Sequence, residues 1–215
     1  MTPGSNGDSM KIGVISDIHG DPLSLELAWA HLQILGADRI VCSGDVVGYG
    51  PFPDKAAKFL ESRKIQAVRG NHDRWAIERG PGLRDEFGGS APSTKTIAVL
   101  AALPSDLVIE VRGRIVVVVH GSPSSDMDYV RRNSHGPEVL DDLLETLGAD
   151  ILVVGHTHAP MWYRGKRGLV VNPGSVISMP VVRTSRTFAM LDLDAMAATF
   201  HDVESGRVLN VPHWS

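Results

Sequence analysis

Short apolar runs in this chain stop, one after another, at residues with chemistry to offer. KIGVIS (11–16) leads into Asp17-Ile18-His19, RIVCS (39–43) into Gly44-Asp45, and IQAVR (65–69) into Gly70-Asn71-His72-Asp73. IVVVV (115–119) leads into His120, and ILVV (151–154) into Gly155-His156-Thr157-His158. Such runs, bounded by turn formers, read as buried strands. Open α/β sheets bind ligands at the carboxyl ends of their strands, so side chains placed there can converge. Five of the nine histidines fall in these stretches.

The connections fit an α/β reading. Leu25, Ala28, Trp29, Leu32 and Leu35 recur at helical spacing, with Asp21 as candidate N-cap, Pro22 in the first turn and Gly36 as a stop. A helix over 54–63 and a strand over 65–70 continue the alternation, which predicts parallel pairing through right-handed crossovers. Residues 80–92 read as a loop, and 93–103 as a helix. DLVIEV and IVVVVH form a hairpin around Arg112–Gly113–Arg114, and a helix over 137–147 precedes ILVVG. MWYR, LVVN, TFAMLDLD and ATFHDV then make the C-terminal part mostly β. Two packed sheets with helices outside accommodate this order.

With 215 residues, 43% of them hydrophobic, the chain can build a sizeable single-domain core. The net charge of -4 offers no global field for nucleic acid or anionic lipid. No apolar run is long enough to span a bilayer. Residues 1–9 lack the basic and apolar regions of a signal peptide and read as a disordered or expression-derived tail, with residues 10–215 as one domain. The only cysteine, Cys42, excludes a disulfide framework and reads as a small buried hydrophobe, so a reducing cytoplasm is the expected compartment.

Each motif alone has a bland explanation. Asp-x-His and Gly-Asp are common in turns, Asn71 can cap a helix, and His120 can be a buried histidine bonded to backbone. Their succession at five strand ends is harder to dismiss. Asp, Asn and His supply oxygen and imidazole nitrogen without thiolate, a set suited to Mn²⁺, Fe, Zn²⁺, Co²⁺ or Ni²⁺. Seven such groups are too many for one ion, whereas two ions about 3.5–4 Å apart sharing a carboxylate use them all. Such a pair generates a nucleophile from water near neutral pH, as in-line hydrolysis of a phosphate ester requires.

In that order the motifs resemble the calcineurin-like metallophosphoesterase superfamily: D-x-H, G-D, G-N-H-[DE], a histidine after a strand, and G-H-x-H. The short chain, SDIHG, GDVVGYGP and NPGSV (172–176) are most similar to its small bacterial and archaeal phosphodiesterase branch. The resemblance implies a β-sandwich of two mixed sheets flanked by helices, a four-layer α/β/β/α fold. It implies two divalent ions, Mn foremost, one held by Asp17, His19, Asp45 and His158 and the other by Asp45, Asn71, His120 and His156. His72 would be a catalytic group at the scissile phosphate, oriented by Asp73. The implied activity is hydrolysis of a small phosphate ester or nucleotide by a metal-bridging hydroxide, diesters foremost, with phosphomonoesters as the alternative.

Gly48, Tyr49 and Gly50 stand where the protein phosphatases of this superfamily carry Asp-Arg-Gly, which counts against phosphoprotein substrates. Arg131, Arg132, Arg183 and Arg186 are candidates for substrate charge but read better as solvated surface. Tyr49 and Tyr129 read better as loop packing than as cleft walls. A homo-oligomer is compatible with the sequence. So is a non-catalytic scaffold like the superfamily's retromer subunit, although that subunit lacks the catalytic histidine.

Overall fold

The computed structural model describes residues 9–177 and 186–213. In chain order the elements are β1 (Lys11–Ile15), α1 (Pro22–Ile34), β2 (Arg39–Cys42), α2 (Pro53–Arg63), β3 (Gln66–Ala67), α3 (Asn71–Arg79) and α4 (Thr94–Ala101). Then follow β4 (Asp106–Val111), β5 (Arg114–Val119), α5 (Pro137–Leu147), β6 (Ile151–Val153), β7 (Met161–Arg164) and β8 (Leu169–Asn172). β9 (Thr187–Asp192), β10 (Ala197–Asp202) and β11 (Val208–Leu209) complete the order.

One mixed sheet runs β11-β10-β9-β1-β2-β3 and the other β4-β5-β6-β8-β7. β1, β2 and β3 are parallel, as are β5, β6 and β8. Five of these six strands therefore deliver their C-terminal ends, and the motif residues after them, to one edge of the sandwich.

Alternation along the strands divides the core. Ile12 and Val14 meet Val116, Val118, Ile151 and Val153 between the sheets. Ile15 and Cys42 face the other way, against Leu25 and Leu32 of α1, Leu60 of α2 and Leu100 of α4. Val117, Leu152 and Val170 face Leu140 and Leu144 of α5. Each such side chain, fully buried, stabilises the fold by about 1.5–3 kcal/mol. The result is four layers, α/β/β/α. Cys42 is fully buried, and burial pushes its thiol up.

Asp21 caps α1 by accepting from the Leu23 and Ser24 amides, both at 3.1 Å. Gly36 follows the helix with φ 78°. Two expectations shift and one short strand is new. The strand expected over 65–70 keeps only Gln66–Ala67, because the Arg69 amide leaves the ladder for Pro104 O at 2.7 Å. Asn71 is the first residue of α3 rather than its cap; Gly70 takes that place. β11 carries no sequence signal, being two residues long. Of the expected tail only Ser9 is described, and its hydroxyl donates to Asp192 at 2.5 Å. Among the described residues no helix is long and apolar enough to cross a membrane.

Candidate metal centre

The motif residues sit where chain leaves sheet, and the backbone there is unusual. Asp17 (φ 53°), His19 (47°), Asp45 (54°), His156 (65°) and His158 (56°) all adopt the left-handed region. Only eight non-glycine residues do so among those described, and these are five of them. The conformation costs roughly 1–2 kcal/mol at each L-residue. Backbone hydrogen bonds between loops hold it: Asp17 N to Gly44 O at 3.0 Å, His19 N to Asp45 O at 2.9 Å, and Gly155 N to His120 O at 2.6 Å.

The segment Gly155–His158 is not extended chain: His156 and His158 are both left-handed, so the alternation that would put residues two apart on one face does not apply. Gly155 is not needed for a positive φ. It is needed because a Cβ there would press on Ser43 O (3.1 Å), Asp17 Oδ2 (3.2 Å) and the Ser16 hydroxyl. Asn172 steadies the loop, donating to Gly155 O at 2.7 Å and Thr157 Oγ1 at 3.0 Å. Ser175 donates to Asp17 O at 2.9 Å, so NPGSV frames the centre without offering it a ligand.

Asp17, His19 and His158 form one donor group. His158 Nε2 lies 3.0 Å from His19 Nε2 and 3.2 Å from Asp17 Oδ1. Asp45, His120 and His156 form a second group, with ligand atoms within 4.8 Å of one another. Asn71 joins it, its Oδ1 2.9 Å from His120 Nε2. His120 Nδ1 faces Ser43 O at 2.7 Å, a contact that assigns the proton to Nδ1 and leaves Nε2 as the donor atom.

Asp45 belongs to both groups. Its Oδ2 lies 3.7 Å from His19 Nε2 and 3.3 Å from His120 Nε2, while Oδ1 accepts the His72 amide at 2.9 Å. Asp17 Oδ1 and His156 Nε2 are buried without a hydrogen-bond partner. Buried polar atoms normally have partners, so these orphans, converging with other donors, fit divalent cations.

The electrostatics agree. Burial raises the Asp17 and Asp45 carboxyls, but the surrounding imidazoles outweigh it and hold both below the usual carboxylate range. Burial lowers the His120 imidazole, yet Asp45 and Asp17 push it up to about 10. Two buried carboxylates demand positive charge, and here only imidazole protons supply it.

His72 also comes within ligand reach of His19 and Asp45. Its ring is walled by Tyr49 (centroids 4.6 Å apart), Trp75 (4.8 Å) and Phe87 (5.4 Å). Asp73, expected to orient it, does something else. Its carboxylate accepts the amides of Gly70 (3.0 Å), Val46 (3.2 Å) and Val47 (3.0 Å), because at the third position of α3 it faces the helix start. The carboxylate beside His72 is Asp85, Oδ2 to Nδ1 3.5 Å, from a loop without any motif.

Tyr49 also lies 4.4 Å from His19, and Tyr129 4.5 Å from His156, so both rings rest on centre imidazoles rather than simply filling loop bases. Arg131 lies over the Tyr129 ring at 4.4 Å. Arg186 pairs with Glu204 at 2.6 Å, and Arg183 lies outside the described residues. A cavity of about 540 Å³ beside the centre includes His120 in its wall, together with Arg69, Arg74 and Ser122.

Residues 10–196 match the calcineurin-like phosphoesterase superfamily domain. Phosphodiesterase YfcE of Escherichia coli is 29% identical over 198 residues, covering 87% of this chain and 90% of that protein. A metallophosphoesterase structure from Sphaerobacter thermophilus is 27% identical with a TM-score of 0.69, covering 92% of this chain and 89% of the other. The hypothetical protein PH1004 of Pyrococcus horikoshii shares the fold with a TM-score of 0.76 at 20% identity, over 91% of this chain and 88% of the other. With both sheets, the donor groups and these likenesses in hand, the chain belongs to the calcineurin-like phosphoesterase superfamily and is a hydrolase of phosphate esters.

Proposed function

We propose that this protein, with residues 10–215 as one domain, is a two-metal phosphodiesterase acting on small phosphate esters, nucleotides included. The observation that carries the reading is Asp45 Oδ2, flanked by His19 Nε2 and His120 Nε2 at 3.7 and 3.3 Å. A single carboxylate oxygen between two donor groups suits a bridge between two ions. Asp17, His19 and His158 would hold one ion with Asp45, and Asn71, His120 and His156 the other. The all-O/N donor set suits Mn²⁺, Fe, Zn²⁺, Co²⁺ or Ni²⁺, and Mn²⁺ is the ion we test first. The likeness to YfcE, named a phosphodiesterase, supports the diester preference.

Bound ions supply a water-derived nucleophile near neutral pH and Lewis acidity toward the phosphoryl oxygens. The chain's own residues do the rest. Asp45 and Asp17 fix the charge of the site, and Ser43 O sets the His120 tautomer. His72 meets the leaving oxygen and protonates it. Asp73 holds the Asp45–Val47 turn against the start of α3. The single buried cysteine fits a reducing cytoplasm. Assembly as a homo-oligomer is compatible with the activity.

The scaffold reading accounts poorly for an intact His72 beside a full ligand set. The test is turnover by metal-free and Mn²⁺-loaded protein of bis(p-nitrophenyl) phosphate and p-nitrophenyl phosphate. Diester turnover that depends on added metal is expected. No turnover with any divalent ion would sink the enzyme reading, and turnover of the monoester alone would make it a phosphatase.

A further inference from the structure

We propose that Asp85 positions His72 for its work on the leaving group. Asp85 lies in the loop over 80–92, which carries no recognisable motif. Its side chain is nonetheless buried, at 4% exposure. Its Oδ2 lies 3.5 Å from His72 Nδ1 and accepts Arg79 Nη2 at 2.8 Å, while Oδ1 accepts the Phe87 amide at 2.9 Å.

Rings occupy the rest of the space around His72. Tyr49, Trp75 and Phe87 wall it, His19 meets it edge-on at 4.8 Å, and none of the four is hydrogen-bonded to its ring. Gly48 lies beneath: a Cβ there would stand 2.9 Å from His72 Nδ1. Asp45 Oδ1 accepts the His72 backbone amide, and the Asp45 carboxylate comes within ligand reach of the ring without an ion pair to it. Asp73 is committed to three backbone amides. Asp85 is thus the only carboxylate among the described residues paired with the His72 ring. With Asp85 accepting from Nδ1–H, the ring's second proton sits on Nε2; that proton goes to the leaving oxygen, and the ring is left as the neutral Nδ1–H tautomer. The 3.5 Å separation exceeds a formed hydrogen bond, and catalytic contacts of this kind tighten when substrate binds.

The loop is built to hold the carboxylate. The Asp85 amide donates to Gly89 O at 3.2 Å, and the Ser90 amide donates to Gly50 O at 3.1 Å. Gly89 packs so closely on Gly48 that a side chain there has no room. Arg79, at the end of the helix that begins with Asn71, fixes Asp85 from the other side. The loop therefore latches onto the two segments that carry Asp45 and His72.

The proposal rests on the reading of His72 as the group that meets the leaving oxygen. The test uses Mn²⁺-loaded protein and two diesters. A p-nitrophenyl ester releases its alcohol without a proton; an alkyl ester needs one. Asp85→Asn should cut kcat on the alkyl ester by roughly 10²-fold and on the p-nitrophenyl ester by less than about 10-fold, within the range of general acid catalysis. KM and metal content should stay near wild type, and Asp85→Glu should recover part of the alkyl-ester rate. His72→Ala should show the same selectivity, more strongly.

Equal losses on both esters for Asp85→Asn, with His72→Ala still selective, would reduce Asp85 to a loop anchor and overturn the proposal. Equal losses for His72→Ala would overturn the reading of His72 instead. Should Asp85→Asn fail to fold, Asp85→Ser is judged by the same ratio.

Discussion

His19 Nε2 and His158 Nε2 face each other at 3.0 Å although 139 residues separate them along the chain. Two imidazole lone pairs at that distance repel unless a proton or a cation lies between them. Asp17 Oδ1, 3.2 Å from His158 Nε2, adds a negative donor to the same point.

Metal should therefore stabilise the fold as well as serve the reaction. At 100 times Kd an ion contributes about 2.7 kcal/mol, or roughly 5–10 °C in Tm for a chain of this size. Thermal unfolding of chelator-treated and Mn²⁺-loaded protein measures it. An unchanged Tm would mean that the cluster does not bind the ion.

Asp45→Asn should cost both sites. The wild-type protein is expected to hold about two ions per chain, on the two-metal pattern, and the variant clearly less than one. Elemental analysis after gel filtration decides, and wild-type content in the variant refutes the bridge.

Gly155→Ala asks a different question, because the added methyl meets Ser43 O and Asp17 Oδ2 at 3.1 and 3.2 Å. Overpacking of this kind costs about 1–3 kcal/mol. A denaturant midpoint lowered accordingly, with less metal bound, is expected. Unchanged stability and metal content would show that the loop gives way freely.

Asp73→Ala leaves three amides without their acceptor, and the amides of Gly70, Val46 and Val47 are buried with the centre. Each buried amide left without its acceptor costs about 1–3 kcal/mol, so a loss of several kcal/mol in urea unfolding is expected. If instead stability held and the rate on the alkyl ester alone fell, Asp73 would be a partner of His72 after all.

Much of the fold was legible. α5 begins and ends where Pro137 and Gly148 punctuate its apolar period, and Asp21 caps α1 as its side chain allows. The motif residues were legible because strand ends of parallel sheets must meet at one edge. What escaped was set by contacts distant in sequence. Whether Asp73 or Asp85 stands beside His72 depends on how the 80–92 loop folds back onto Gly48. Asp73, one residue away in the chain, turns instead to the start of α3 and accepts three backbone amides. The left-handed turns at His156 and His158 escaped too, since histidine, though enriched at positive φ, signals it only weakly.

Those turns set the chain's interests against each other. Glycine would occupy the positions of Asp17, His19, Asp45, His156 and His158 without steric strain, and Asn with less of it. Asp17 and Asp45 offset part of that strain by accepting the His156 and His72 amides; for the imidazoles, bound metal is what offsets it.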